Sequence, residues 1–147
     1  MAEVYRAPMR SRSDHVDLRA TIERARRLGL CGFGQLVADG DEQRLARRVS
    51  RFAEIDDGSF VWTRDVEGFY WLGRIEGPYY YDDDPAAAAV DLVHVRACRW
   101  LPEPILESDA PAAVVATFGR GGRNFQQTHD AAVGPETARL WAERLDR

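Results

Sequence analysis

Arginine and aromatic side chains are the residues of this sequence whose types and spacing could do chemistry. All 20 basic residues are arginine and none is lysine, so every cation is a planar guanidinium suited to phosphate, carboxylate or aromatic faces. Rings on strands ordinarily fill the core, but a surplus beyond what a small barrel can bury would suit a slot for a flat base. The rings on the predicted strands or just after them are Phe60, Trp62, Phe69, Tyr70, Trp71, Tyr79, Tyr80, Tyr81 and Trp100.

Sequence signatures of common catalytic and nucleotide-binding sites are absent. No GxxxxGK[ST], GxGxxG or GxSxG pattern occurs, so neither a phosphate-binding loop nor a serine nucleophile is predicted. Cys31 and Cys98 lack the spacing of metal ligands or of a disulfide framework. The strongest enzymatic set, His94, Arg96 and His129 acting on a phosphodiester, rests on residue types alone. We therefore expect no metal, no cofactor and no catalytic activity.

The charges are spread unevenly along a chain of 147 residues with a net charge of −4. Arginines outnumber acids in residues 1–51 and 111–147, whereas acids dominate residues 52–110. A general coat for nucleic acid would be basic overall, so any contact with phosphates must be local. The sequence has no apolar segment long enough for a membrane span or a signal peptide, which predicts a cytoplasmic protein without membrane contact.

Helices and short strands follow one another in an order typical of an α+β domain. Helical periodicity predicts a helix at 14–28, ended by Gly29, and a second helix at 41–54. Later elements are three alternating strands, a short helix, a glycine turn leading into a closing strand, and a terminal helix, at 59–64, 69–77, 91–100, 109–118, 119–129 and 134–147. This order predicts a small mixed β-barrel flanked by helices, in one domain spanning 1–147.

Several segments are predicted to be irregular, solvated or part of the core. Residues 1–12 are predicted to be a flexible arm, and the aspartates at 82–84 to begin a solvated loop that includes 85–90. Phe69 and Trp71 are predicted to point into the barrel. Trp100 and Trp141 are also assigned to the core, and a solvated helix face is predicted for Arg24, Arg26 and Arg27.

Five segments in sequence order carry a resemblance to a known group of domains. They read LCGFGQL at 30–36, RFAEIDDGSFVWTR at 51–64, YWLGRIEGPYYYD at 70–82, HVRACRWL at 94–101 and TFGRGGRNFQQTHD at 117–130. Together they resemble the EVE-like branch of the PUA-like superfamily, the branch that also includes YTH domains. The chain departs from that pattern at Phe33, where tryptophan is usual, and at Ser59, where aspartate is usual.

The resemblance implies a module that reads a modified base flipped into an aromatic slot. On the matching positions, Phe33 would be one wall, Gly34 would let the backbone approach the ligand, and Gln35 would offer a hydrogen bond to the base edge. Trp62 would be a second wall. Polar contacts are implied for Thr63 and Arg64, a rim position for Tyr79 and Tyr81, and phosphate contacts for Arg120, Arg123 and Asn124.

The implied partner is DNA or RNA that carries a modified base, with either a nuclease partner acting in trans or no protein partner, and a role in prokaryotic antiviral defence. Two alternatives stay open from the sequence. One is a ribonuclease, because the ASCH-type branch of the PUA-like superfamily includes such enzymes. The other is a protein-interaction module, which would show an exposed apolar patch and a closed slot.

Overall fold

One mixed β-sheet joins residues from distant parts of the chain. The computed structural model describes residues 2–35 and 41–146. The strands are β1 (Val4–Arg6), β2 (Leu30–Phe33), β3 (Phe60–Arg64), β4 (Tyr70–Tyr81), β5 (His94–Trp100) and β6 (Gln126–Gln127). Their order in the sheet is β2-β5-β4-β3-β1-β6. β1 runs parallel to β3, and the other neighbouring strands are antiparallel.

The described residues also contain five α-helices, which are α1 (Leu18–Leu28), α2 (Glu42–Glu54), α3 (Pro85–Ala89), α4 (Ala112–Gly119) and α5 (Val133–Arg144). A carboxylate oxygen of Asp17 accepts the backbone N–H of Arg19 at 3.1 Å, so α1 begins later than the periodicity predicted. It ends where predicted, at Gly29, whose left-handed φ of 68° suits glycine. None of the helices in the two described ranges is long and apolar enough to cross a membrane.

The N-terminal segment is a buried strand, and the prediction of a flexible arm at 1–12 is corrected for residues 4–6. Val4 and Tyr5 are buried, as are Ala7 and Met9 further along. The Phe60 N–H donates to the carbonyl of Glu3 at 2.9 Å, so this segment completes the hydrogen bonding of β3. Three residues are too few to display strand alternation, which is why the sequence did not indicate the strand.

The sheet curls, but it is not closed into a barrel by strand pairing within the described residues. The prediction of an α+β fold with a mixed sheet is confirmed, whereas a closed barrel is not. Strand β4 pairs with β3 through its first half and with β5 through its second, and the register shifts between Ile75 and Tyr79. Such an irregularity bends a strand, and here it lies at Gly77 and Pro78. The edges are therefore β2 and β6.

Apolar clusters cover both faces of the sheet. Val61 and Ile75 pack on the side of α1 and α2, whereas Trp62 and Leu72 pack on the side of α4 and α5. Because both faces are buried, apolar residues occupy successive strand positions, and alternation alone could not identify a single inner face. The prediction that Phe69 points into a barrel is wrong, since this residue is only half-buried before the start of β4.

The basic face of α1 and the aspartates after β4 are tied to each other, although both were predicted to be solvated. Arg24 is 9% exposed, and its Nη2 lies 3.2 Å from a carboxylate oxygen of Asp82. Asp84 accepts the N–H of Ala86 at 2.8 Å and so caps α3, where a loop was predicted. Arg26 places its guanidinium carbon 3.4 Å from the ring centroid of buried Trp71. These contacts fix α1 on the sheet.

Arg96 holds three separate segments together from inside the protein. Its side chain is 3% exposed, and its Nε donates to the carbonyl of Gly77 at 2.8 Å. Its Nη1 donates to the carbonyls of Phe52 at 3.0 Å and Ile55 at 2.5 Å, at the end of α2. Its Nη2 donates to a carboxylate oxygen of Asp57 at 2.8 Å. A single guanidinium thus joins β5 to the bend of β4 and to helix α2.

We expect Arg96→Met to lower the free energy of unfolding by about 3 kcal/mol or more, because it leaves the carbonyls of Gly77 and Phe52 without their buried hydrogen-bond donor. The measurement is urea unfolding followed by tryptophan fluorescence. The matched control is Asp57→Asn, which alters only the 63% exposed partner and should cost less than about 1 kcal/mol. Equal, small losses for both variants would contradict the central role of Arg96.

Candidate nucleic-acid interface

An aromatic cavity of about 590 Å³ lies between the two edges of the curled sheet. Phe33 comes from edge strand β2, and Phe125 directly precedes edge strand β6. Phe52 from α2 and Tyr5 from β1 complete the aromatic lining. The ring centroids of Phe33 and Phe125 are 6.3 Å apart, so side-chain contacts replace strand pairing between the two edges of the sheet. The volume lies within the range typical of ligand sites.

The rings of the aromatic cavity pack on one another and form a wall. Phe52 and Phe125 meet edge to face at 4.9 Å, and Phe33 meets Phe52 in the same way at 5.1 Å. Tyr5 and Phe125 are nearly parallel at 5.5 Å. A base inserted between two rings needs a centroid separation of about 7 Å, which is two contact distances. A flat ligand would therefore stack on one face of this cluster.

Charged and polar groups surround the opening of the aromatic cavity. Arg48 and Arg51 project from α2, one turn apart, and His129 lies beyond β6. Glu3 accepts a hydrogen bond from the Tyr5 hydroxyl. Burial first, and then the Glu3 carboxylate, raise the pKa of Tyr5, so its hydroxyl remains a donor. The rim combines guanidinium groups for phosphates with donors and acceptors for a base edge.

The neutral imidazole of His94 packs against the ring of Phe33. His94 lies 5.5 Å from Phe33 between ring centroids. Its Nε2 is 2.5 Å from Oε1 of Gln35, and its Nδ1 is 2.9 Å from the hydroxyl of Tyr79. Because the Gln35 oxygen can only accept, Nε2 carries the proton and Nδ1 accepts from Tyr79. Burial lowers the pKa of His94, although the nearby Asp91 carboxylate acts in the opposite direction.

Asp91 fixes the backbone that follows Phe33. Its carboxylate accepts the hydroxyl of Ser11 at 2.6 Å and the backbone N–H of Gln35 at 2.8 Å. A Cβ added at Gly34 would come within 2.2 Å of the Asp91 carboxyl carbon, so only glycine fits at this position. Asp91 itself has a left-handed φ of 49°, a conformation that residues other than glycine rarely adopt. The predicted residues Gly34 and Gln35 thus lie beside Phe33 in a tightly constrained turn.

Trp62 and Thr63 lie away from the aromatic cavity, and the expectation of a wall and a polar contact there is corrected. Trp62 is fully buried on the α5 side of the sheet, where its indole N–H donates to the hydroxyl of Thr137 at 3.2 Å. Thr63 is also fully buried. Alternation along β3 puts Trp62 on the face opposite the cluster that contains Phe33.

The remaining predicted strand residues fall into two other places. Tyr79 bonds to His94, and the 52% exposed Tyr81 meets the same imidazole edge to face at 5.5 Å. Neither residue lines the aromatic cavity. Arg64, at the end of β3, lines a second cavity of about 650 Å³ together with Arg10 and Arg123. We call this second space the basic cavity.

The glycine turn before β6 presents Arg120, Arg123 and Asn124, and a buried arginine anchors that turn. Arg6 is 7% exposed and donates to the carbonyls of Thr117 at 2.9 Å, Gly121 at 2.8 Å and Asn124 at 3.3 Å. The side chains of the three predicted residues remain exposed. The turn is therefore a surface feature with a rigid base, as a phosphate contact requires.

Sequence reasoning missed most of the lining of the aromatic cavity. Phe52 lay in the predicted helix at 41–54 without a role in the site, and Tyr5 was assigned to an arm. Phe125 lay in the closing segment of the resemblance without a role. The available signal was the position of Arg48 and Arg51, which occupy the same part of α2 as Phe52.

Comparison with known proteins gives a likeness of fold. The chain matches no protein-family profile and no curated protein. It is similar to the YTH domain of the Zygosaccharomyces rouxii MRB1 protein, solved in complex with N6-methyladenosine RNA. The TM-score is 0.52 at 12% identity, over 95% of this chain and 83% of that one. A weaker likeness, with TM-score 0.39 at 14% identity, is to Atu2648 of Agrobacterium tumefaciens, over 95% of this chain and 92% of that one.

The likeness to a YTH domain shows a related fold and agrees with the predicted resemblance at that level. The EVE branch itself stays a prediction. At 12% identity the likeness concerns the fold alone, and the site residues named above follow from the geometry of this chain.

We expect the His94 imidazole to titrate below the ordinary histidine pKa of about 6.5. The neutral ring stabilises the fold fully above that pH, and this contribution is lost as the pH falls toward the lower folded pKa. NMR titration of the imidazole, assigned with His94→Gln, measures the first effect. The loss of stability at low pH is measured as the difference between the wild type and His94→Gln in the pH dependence of the free energy of unfolding. Titration at or above 6.5 would contradict the conclusion that burial outweighs the Asp91 carboxylate in setting the pKa of His94.

Proposed function

We propose that this protein binds single nucleobases that carry a modification, within RNA or DNA, and that it acts by binding rather than by catalysis. The observation that carries the proposal is that Phe33 faces an open aromatic cavity with Arg48 and Arg51 at its rim. Stacking on aromatic faces contributes about 1–3 kcal/mol per base. A flipped base also needs hydrogen bonds along its edge, for which Gln126 and Gln127 line the same cavity.

The proposed binding mode is one-sided stacking. The four rings of the aromatic cavity already contact one another, so they offer one wall to a base. In our proposal the second wall is a guanidinium plane from Arg48 or Arg51, which stacks well on aromatic surfaces. A methyl group on the base would add about 0.8 kcal/mol for each buried methylene-sized unit. Discrimination between modified and unmodified bases is therefore expected to be modest.

RNA that carries N6-methyladenosine is the first ligand to test, because the similar YTH domain was solved with such RNA. Our proposal covers modified bases in general, and the oligonucleotide binding experiment below identifies which modified base binds best. A nuclease partner acting in trans and a role in antiviral defence belong to the same proposal. They are suggested by the EVE-like resemblance of the sequence.

A ribonuclease is the second candidate function, and one observation favours it. His129 is exposed and lines the aromatic cavity, where it would meet a bound phosphodiester. Arg96, which the sequence grouped with it, directs its Nε, Nη1 and Nη2 to internal partners. Cleavage of RNA by the wild type, abolished in His129→Ala, would favour the enzyme over the binding module.

We expect Phe125→Ala to weaken binding of a modified oligonucleotide by about 5- to 150-fold, which corresponds to the removal of one stacking ring. Fluorescence anisotropy would compare modified and unmodified oligonucleotides of one sequence. The modifications would be N6-methyladenine in RNA and DNA, and 5-methylcytosine and 5-hydroxymethylcytosine in DNA. Phe125 is only partly buried, so the variant is expected to fold.

The matched control is Tyr80→Ala, which removes a ring that is 45% exposed and lies outside the aromatic cavity. It should bind as the wild type does. Equal affinity of the wild-type protein for every modified and unmodified oligonucleotide would overturn the proposed function. Equal effects of Phe125→Ala and Tyr80→Ala on binding would show that the aromatic cavity is not the binding site.

A further inference from the structure

A chain of shared residues connects the aromatic cavity with the basic cavity. A narrow space of about 20 Å³ lies between them, lined by Phe33 and Arg48 on one side and by Arg10 and Arg123 on the other. Phe33 and Arg48 also line the aromatic cavity, and Arg10 and Arg123 also line the basic cavity. The three spaces therefore adjoin one another, and we refer to this row of spaces as one depression.

Arginines from four separate segments line this depression. We call it the arginine groove and define it by Arg51 and Arg48 on α2, Arg12 and Arg10 after β1, Arg123 in the glycine turn and Arg64 at the end of β3. Segments so far apart in sequence place like charges side by side. Such an arrangement is costly unless an anion offsets it.

Among the described residues, several guanidinium groups of the arginine groove lack a carboxylate partner. Arg64 instead places its guanidinium carbon 5.8 Å from the ring centroid of Phe118. Within the described residues, Arg10, Arg12, Arg51 and Arg64 have no side-chain hydrogen bond or ion pair. The Nη2 of Arg123 lies 3.9 Å from a carboxylate oxygen of Asp14. Four arginines outside the groove, Arg19, Arg24, Arg74 and Arg96, have carboxylate partners within 3.2 Å.

The charges of the arginine groove act on one another. The pKa of Arg48 is lowered, first by burial and then by the neighbouring charge of Arg12. Arg48 also donates to the side-chain oxygen of Asn124 at 3.4 Å, which links α2 to the glycine turn. Arg6 anchors the same turn from the buried side. Its Nη2 lies 2.8 Å from the point where a Cβ would stand if Gly122 carried a side chain, which is too close for one. The groove is thus held in shape by contacts on both sides.

Acidic groups border the arginine groove at its two ends. The carboxylate of Asp91 also lines the narrow space in the middle, where it is buried and accepts the Ser11 hydroxyl and the Gln35 N–H. Glu3, Glu54 and Asp56 lie on the rim of the aromatic cavity, and Asp65 and Glu67 lie on the rim of the basic cavity. A single strand of phosphates can follow the arginines and avoid these carboxylates. A duplex is a convex cylinder whose second backbone would approach them, so the charge pattern favours one strand.

We propose that the arginine groove binds the phosphodiester backbone of a single-stranded nucleic acid, which runs from the aromatic cavity past Arg12 and Arg123 to the basic cavity. This inference rests on the proposed function, because it assigns the flanking nucleotides of the same ligand. The base in the aromatic cavity supplies recognition, and the groove supplies affinity that does not depend on sequence.

The test measures binding of unmodified single-stranded RNA, single-stranded DNA and a duplex of the same sequence, by fluorescence anisotropy between about 50 and 200 mM salt. The test variant is Arg10→Gln with Arg12→Gln, both of which are exposed. We expect binding to weaken by about 2- to 30-fold, equally for modified and unmodified strands. The slope of log affinity against log salt should fall by about 0.7 for each phosphate that the variant no longer neutralises.

The matched control is Arg99→Gln with Arg139→Gln, which removes the same charge from exposed arginines that do not line the groove. It should keep the wild-type slope, and circular dichroism would check that both double variants are folded. Tighter binding of either RNA or DNA supports the proposal and identifies the backbone. An unchanged slope in Arg10→Gln with Arg12→Gln, or tighter binding of the duplex, overturns it.

The two proposals can fail separately. If wild-type protein binds modified and unmodified strands equally but the test variant loses salt dependence, the reader function fails and the arginine groove stands. If the test variant keeps its salt dependence while Phe125→Ala loses discrimination, the groove fails and the reader function stands.

Discussion

The buried guanidinium of Arg96 is the interaction on which the geometry of the site depends. It comes from β5, and it binds the carbonyls at the end of α2 and at the bend of β4. Those contacts set where α2 lies over the sheet, and α2 contributes Phe52 to the aromatic cavity and arginines to its rim. An arginine is suited to this role because one planar fork can satisfy several carbonyls at once. The same residue type thus serves inside as a structural clamp and lines the rim of the aromatic cavity as a cation.

The aromatic cavity exists because the sheet curls without closing. Had β2 and β6 been paired, their backbone groups would have filled the gap and left no room for a ligand. Instead, rings from four segments line the space between the two edges, and their edge-to-face contacts cover apolar surface that would otherwise meet water. A single opening therefore combines an apolar wall with a rim of arginines.

Much of the fold could be read from the sequence, and much of the site could not. Local signals such as Gly29 after α1 and the alternation in β3 identified elements correctly, because helix ends and the formation of a strand depend on nearby residues. Phe33 was found through the resemblance of the LCGFGQL segment to the EVE-like pattern. Trp62 was misplaced, because its burial depends on α5, which follows it by about 70 residues. Tyr5 was missed for the same reason, since its neighbours in space are distant in the chain.

The placement of β1 between β3 and β6 has a consequence for how the protein folds. Tyr5 pairs with Gln127, and Arg6 reaches Asn124, which is 118 positions further along the chain. Contacts over such separations close the longest loops and form slowly, after local helices and hairpins. The aromatic cavity draws Tyr5 from one end of this loop and Phe125 from the other. Its completion must therefore wait until this long loop has closed, and fraying of the short strand β1 would dismantle it while the β3–β4 and β4–β5 ladders stay intact.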